Sequence, residues 1–125
     1  MIDHISVAVR DLERSTRFYE AALSPLGLSR LVTRTATIGF GKAYPEFWIN
    51  LRDKMMPVEE GSGAHICLRD RSPADVDAFH TAALNAGGRS DGAPGLRPHD
   101  RVRYYAAFVI DPDGNRIEAV TFPAE

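Results

Sequence analysis

The sequence predicts an α+β fold built from two β-α-β-β-β modules in tandem. Three observations carry this: the chain matches itself at a fixed offset, each copy opens on an alternating apolar segment, and each continues into a capped amphipathic helix. At an offset of 61 residues His4-Ile5 falls on His65-Ile66, and the match runs without gaps through Gly27 and Gly88. Arg10 falls on Arg71, Phe18 on Phe79, and Ala21-Ala22-Leu23 on Ala82-Ala83-Leu84. These identities coincide with the same order of elements in both halves, which points to duplication of one unit.

Each element follows from local chemistry. Ile2 to Val9 places Ile5, Val7 and Val9 on one side, and Ala64 to Leu68 places Ile66 and Leu68 on one side, the pattern of half-buried strands. Asp11 opens the first helix. Ser72-Pro73-Ala74-Asp75 opens the second, where Ser72 caps, Pro73 suits the first helical position and Asp75 meets the dipole. Leu12, Phe18 or Tyr19, Ala22, Leu23 and Leu26 recur at helical spacing, as do Val76, Phe79, Ala83 and Ala86. Gly27 and Gly87-Gly88 stop the helices. Shorter strands follow at Ser29 to Val32, Thr35 to Gly41 and Glu46 to Arg52, then at Arg103 to Ile110 and Arg116 to Phe122; Arg89 to Arg97 is too rich in Gly and Pro to assign. Lys54 to Gly63, carrying Pro57 and Gly61-Ser62-Gly63, separates the copies, which gives one domain with module 1 at 1–56, a linker at 57–63 and module 2 at 64–125. Asp111-Pro112-Asp113-Gly114-Asn115 reads as a turn, with Pro preset for the bend and Gly supplying positive φ.

Bulk properties exclude several function classes. A chain of 125 residues, 44% hydrophobic and 26% charged, suits one globular domain. Its net charge of −2 offers no basic surplus for nucleic acid or an anionic membrane surface. No apolar run approaches the length of about 20 residues that crosses a bilayer, and Met1-Ile2-Asp3-His4 lacks the pattern of a signal peptide, so a cytoplasmic location is expected. Cys67 is the only cysteine, which rules out an internal disulfide and a four-cysteine zinc site within one chain.

Strand alternation sorts the remaining polar residues. Opposite the apolar side lie His4, Ser6 and Ala8; Trp48, Asn50 and Arg52; His65, Cys67 and Arg69; and Arg116, Glu118 and Val120. Aligning Ile49-Asn50-Leu51 with Ile117-Glu118-Ala119 makes Asn50 the counterpart of Glu118, as His4 is of His65. A lone strand histidine is ordinarily a hydrogen-bonded residue and no more. Two imidazoles and one carboxylate at repeat-related positions instead suit a divalent cation with open positions for water and substrate.

The stretches His4-Ile5-Ser6-Val7-Ala8-Val9 with Asp11-Leu12, Phe18-Tyr19, Gly63-Ala64-His65-Ile66, and Phe108 through Asp111-Pro112-Asp113-Gly114-Asn115-Arg116-Ile117-Glu118 closely resemble the vicinal-oxygen-chelate superfamily of glyoxalases, extradiol dioxygenases and bleomycin or fosfomycin resistance proteins. The resemblance covers the whole chain. It implies paired modules curling into an open, barrel-like mixed sheet with a concave metal and substrate cavity, frequently in a homodimer. His4, His65 and Glu118 match the family's metal-ligand positions. Asn50 departs from it, because glyoxalases carry Glu there as ligand and base.

Other residues could join the cavity. Of Tyr104 and Tyr105 one must face it, where a phenol could orient a substrate oxygen, or the ring could simply pack. Trp48 could wall a pocket beside Ser6, Cys67 and Arg52, or pack in a core or interface. Arg97, His99, Asp100, Arg101 and Arg103 form a polar loop, either solvated or closing on an anionic substrate. Cys67 could be a thiol nucleophile, though small cysteines usually pack. His80 reads as an exposed helix residue and no ligand. The leading expectation is an enzyme of lyase, dioxygenase or transferase type, dependent on one divalent metal (Fe, Mn, Ni or Zn) and acting on a small molecule with adjacent oxygens. Glyoxalase chemistry itself is disfavoured, since the Asn50 amide cannot abstract a proton. A protein that binds a drug or metabolite without chemistry is the alternative.

Overall fold

The structure, a computed structural model, describes residues 1–124. Its elements run β1 (Ile5–Val9), α1 (Leu12–Leu23), a 3-10 turn at Ser24–Leu26, β2 (Ser29–Thr33), β3 (Thr37–Gly41), β4 (Pro45–Leu51), β5 (Ile66–Arg69), α2 (Pro73–Asn85), β6 (Arg89–Arg97), β7 (Tyr104–Ile110) and β8 (Arg116–Thr121). The β-α-β-β-β order therefore occurs twice. Four strands join in the order β1-β4-β3-β2 and four in the order β5-β8-β7-β6, each set with one parallel pair at its β1 or β5 edge and antiparallel pairs elsewhere. These are two separate mixed sheets, neither closed into a barrel.

The helix signals act as expected. Asp11 accepts a hydrogen bond from the Arg14 amide and Ser72 accepts one from the Asp75 amide, satisfying first-turn donors. Gly27 ends the first helical segment with φ of 79°, a left-handed value that favours glycine. Phe18 and Tyr19 are both fully buried, their rings edge to face at 4.8 Å.

Two boundaries move in a way that matters for the site. β1 begins at Ile5 and β5 at Ile66, so His4 and His65 stand just outside the strands, at matching entry points. A further strand, β6, occupies Arg89–Arg97. Its pairing with β7 shifts register between Ser90 and Gly92 and again between Gly92 and Gly95, bulges that accommodate the Gly-Ala-Pro-Gly run which conceals the strand in the sequence.

One hydrophobic cluster draws on both modules: Val9, Phe40, Phe47 and Ile49 of the first sheet, Val109, Ile117 and Ala119 of the second, and Phe18, Tyr19, Val76 and Phe79 of the helices. Helix α1 packs on β4, α2 on β7 and β8, and the helices pack on each other. The apolar side of each sheet is thus spent on this shared core, and the opposite, polar side of each sheet faces outward. Among the described residues, no helix is long and apolar enough to cross a membrane.

Candidate functional site

The outer face of the second sheet gathers a polar cluster around Glu118. Register pairs Cys67 with Glu118 across the parallel β5/β8 edge, and Glu118 with Phe108 across β7/β8. Glu118 is only 2% exposed, yet both of its oxygens are engaged by side chains. Its Oε1 lies 3.1 Å from His65 Nε2, and its Oε2 accepts a hydrogen bond from the Tyr104 hydroxyl. His65 keeps about half its side chain open to solvent, with side-chain exposure of 49%. A buried carboxylate is held by partners that are themselves accessible, as a ligand-binding group requires.

Two neighbours respond to that carboxylate. Desolvation, then the negative charge of Glu118, pushes the Cys67 thiol up to about 12, although the residue as a whole is exposed. Both causes favour the protonated thiol at neutral pH. Desolvation and the hydrogen bond to Glu118 likewise raise Tyr104, which stays a phenol and a donor. His99 stacks on the Tyr104 ring at 6.0 Å and Phe122 meets it edge-on at 5.5 Å, so the ring is held from two sides. Tyr105 points the other way: its hydroxyl donates to Asp77 of α2 at 2.6 Å. Of the two candidate tyrosines, only Tyr104 joins the cluster.

The outer face of the first sheet carries the other candidates. His4, Ser6, Arg34, Thr37, Trp48 and Asn50 line an open pocket of about 210 Å³. His4 Nδ1 lies 2.7 Å from Asp3 Oδ1, and Thr37 donates to Asn50 Oδ1 at 3.0 Å. Arg34 sits over the Trp48 ring, 5.4 Å from its centroid. Arg52 lies past the end of β4, exposed, and donates to its neighbour's carbonyl at Leu51; it does not line the pocket.

Within one chain, then, the expected ligands form two groups, His65 with Glu118 on one sheet and His4 with Asn50 on the other. Among the described residues, no three His, Cys, Asp or Glu side chains come together as a metal cluster. The donor chemistry of the His65–Glu118 pair fits half of a divalent-metal site, with further ligands needed from outside that group.

The sheets also revise the internal alignment. Ser6 pairs with Trp48 and Ala8 with Asn50, while Cys67 pairs with Glu118 and Arg69 with Val120. Since Ser6 corresponds to Cys67, the register counterpart of Glu118 is Trp48, and that of Asn50 is Val120. The alignment through Ile49-Asn50-Leu51 is displaced by two residues. Such a shift keeps every side chain on its face, so alternation cannot reveal it.

Sequence reasoning missed Arg34 and Thr37, and did not foresee that Arg69 stacks on Phe122 at 4.8 Å and Arg97 on Phe108 at 5.4 Å. A usable signal was present in the strand glycines. A Cβ on Gly39 would fall 2.9 Å from the Trp48 ring, and one on Gly92 2.9 Å from Phe108, so each glycine makes room for an aromatic ring to lie down on the sheet.

The family model for the glyoxalase/bleomycin resistance protein/dioxygenase superfamily matches residues 1–119. Among solved structures, a glyoxalase/bleomycin resistance protein from Albidiferax ferrireducens is 34% identical, over 97% of this chain and 98% of that one, with a TM-score of 0.83. A fosfomycin resistance protein from Listeria monocytogenes is 19% identical over 97% of this chain and 92% of its own, with a TM-score of 0.69. A glyoxalase I variant from Zea mays is 23% identical, covering 94% of this chain and 44% of its own, with a TM-score of 0.74. No curated protein matches the sequence. With a match along nearly the whole length and the same paired-module fold, the chain belongs to the glyoxalase/bleomycin resistance protein/dioxygenase superfamily.

Proposed function

We propose that the protein is a divalent-metal-dependent enzyme acting on a small substrate with adjacent oxygens, and that its centre forms between two copies of the chain. His4 of one copy would join His65 and Glu118 of the other. The observation that carries this reading is the pairing of buried Glu118 with half-exposed His65 on an outward face, while the matching histidine stands on the other outward face. A third ligand from a second copy would complete the set, and a two-fold pairing would generate two such centres.

The metal, one of Fe, Mn, Ni or Zn, would act as a Lewis acid on the substrate's oxygens. The chain's own groups do the rest. Tyr104 holds Glu118 in place and keeps its proton, ready to donate to a substrate oxygen when Glu118 turns to the ligand. The Asn50 carbonyl oxygen already accepts from Thr37, which leaves its amide to donate but not to remove a proton. The register counterpart of Glu118 is Trp48, which carries no base either, so a lyase step needing a strong base at that point is disfavoured, and glyoxalase turnover with it. One observation favours a second reading, binding without chemistry: Trp48 stands where the other module has its carboxylate, so the first half-site offers a ring in place of a ligand.

Elemental analysis of protein purified without additives, combined with light scattering, tests the reading. The expected result is a mass twice 13.8 kDa and one metal per chain, lost in both His4→Ala and His65→Ala. Mixed dimers of these two variants should recover one metal per dimer, because one of the two centres then holds only intact ligands. A mass near 13.8 kDa, or unchanged metal binding in His65→Ala, would overturn it.

A further inference from the structure

Two groups of arginines stand out in this protein. Arg10, Arg14, Arg17, Arg30 and Arg116 form ion pairs with carboxylates. Arg34, Arg69 and Arg97 form none among the described residues, and each lies over an aromatic ring on an outer sheet face: Trp48, Phe122 and Phe108. Arg52, Arg71, Arg89, Arg101 and Arg103 form no ion pair among the described residues either, so what sets these three apart is the aromatic ring beneath each guanidinium. An aromatic face fixes the plane of a guanidinium without consuming its in-plane donors, which remain free to meet a carboxylate edge-on.

The Arg34–Trp48 pair goes furthest. Gly39 lets the indole lie flat on β3, since any Cβ there would strike the ring. Ser6, Thr37 and Asn50 set hydroxyl and amide groups around it, and His4 stands at the rim. The pocket, about 210 Å³, is smaller than most sites for drug-sized ligands. It combines one flat apolar platform, one fixed unpaired cation and neutral hydrogen-bonding groups. On the second sheet, Phe108 and Gly92 repeat the packing under Arg97, but that guanidinium donates to the Gly95 and Ala93 carbonyls, so its donors are engaged.

We infer that the substrate is a compact, flat organic carboxylate whose unsaturated body lies on Trp48 and whose carboxylate is bound by Arg34. This deepens the proposed metal-dependent reaction by naming its substrate class. That such a ligand reacts at a metal rests on the proposed function, whereas its binding beside Trp48 does not.

Trp48 is the only tryptophan, so its fluorescence reports on this pocket directly. The test titrates the purified protein with benzoate, with benzamide as an uncharged probe of the same shape, and with acetate as a carboxylate lacking a flat body. Benzoate should change the emission saturably, at least tenfold more tightly than benzamide or acetate, with affinity falling as salt is raised. Arg34→Met keeps the stem but removes the charge from an exposed turn; it should weaken benzoate about tenfold and leave benzamide unchanged. Equal affinity for benzoate and benzamide, no response to benzoate, or an Arg34→Met variant that binds benzoate normally would each overturn the inference. Repeating the titration in a chelator and in His65→Ala separates the two ideas. Benzoate selectivity retained without metal supports this inference even if the metal reading fails. Metal bound at full stoichiometry with no anion selectivity overturns this inference alone.

Discussion

His80 sits on α2 with its Nε2 2.8 Å from the Ser90 hydroxyl of β6, and desolvation there lowers its titration below 6.5, against the opposing pull of the Asp77 charge. The folded state therefore prefers the neutral ring. Its contribution to stability is complete above the unfolded value of 6.5 and is lost as pH falls through that value toward the folded one. Two measurements check this: an imidazole midpoint below 6.5 by NMR, and a stability profile between about pH 7 and about pH 5 that is flatter in His80→Gln than in the native protein. A midpoint at or above 6.5 would refute it. The sequence identifies His80 as a helix residue, which holds, but cannot show Ser90 folding back beside it from an unassigned strand. The same limit applies at the site. His65 and Glu118 are legible from the repeat and from strand alternation, which says that one of Tyr104 and Tyr105 takes their side but not which. Arg34 is not, because it lies in a turn, where no period sets the direction of a side chain.

At the scale of elements, β4 decides what the first half-site can do. Its register places Trp48, not Asn50, in the position relative to His4 that Glu118 holds relative to His65. A carboxylate at position 48 would then stand beside His4 as Glu118 stands beside His65. Trp48→Glu should tighten metal binding by about tenfold, the scale on which single changes around a metal act. Asn50→Glu, one pairing step further along the strand, should change it less. Calorimetric titration with manganese or nickel decides between them, with circular dichroism as the check on folding. A larger gain from Asn50→Glu would restore the alignment through Ile49-Asn50-Leu51 and count against the register. The helices and seven of the eight strands are readable to within a few residues, and β6 alone escapes. Gly92, Pro94 and Gly95 carry turn chemistry, and only pairing with β7 on one side draws them into a bulged strand.

Across the whole molecule, the turn after β7 ties the modules together, and its repeat-related turn after β3 does not do so in the same way. The turn after β7 reaches from module 2 into module 1. Asp111 accepts from the Tyr19 hydroxyl at 2.6 Å, and Asn115 donates to the carbonyl of Ala8 at 2.9 Å. Asp113, 1% exposed, accepts from the Arg10 amide, Arg10 Nε and Arg14 Nη2, all on one oxygen, and from the Ser15 hydroxyl on the other. What reads in the sequence as turn chemistry is thus also an ionic lock on the start of α1. The related turn of module 1, after β3, carries Lys42, which bears on Asp70 ahead of α2 only as a nearby charge, with no ion pair between them among the described residues. There the carboxylate is 8% exposed, its Oδ2 has no hydrogen-bond partner among the described residues, and desolvation raises its pKa despite the attraction of Arg71 and Lys42. Removing one partner from a buried, satisfied charge network strands the others. Asp113→Ala should therefore destabilise the fold by about 3 kcal/mol in denaturant titration. It should also be strongly non-additive with Arg14→Ala, since the two share one interaction. Asp70→Asn removes a charge that nothing fully pairs, keeps an oxygen for the Arg71 amide, and should leave stability unchanged or raise it. If Asp70→Asn costs as much as Asp113→Ala, the two carboxylates are equivalent and the fold is clamped symmetrically; if only Asp113 matters, the second module holds the first through a single buried carboxylate.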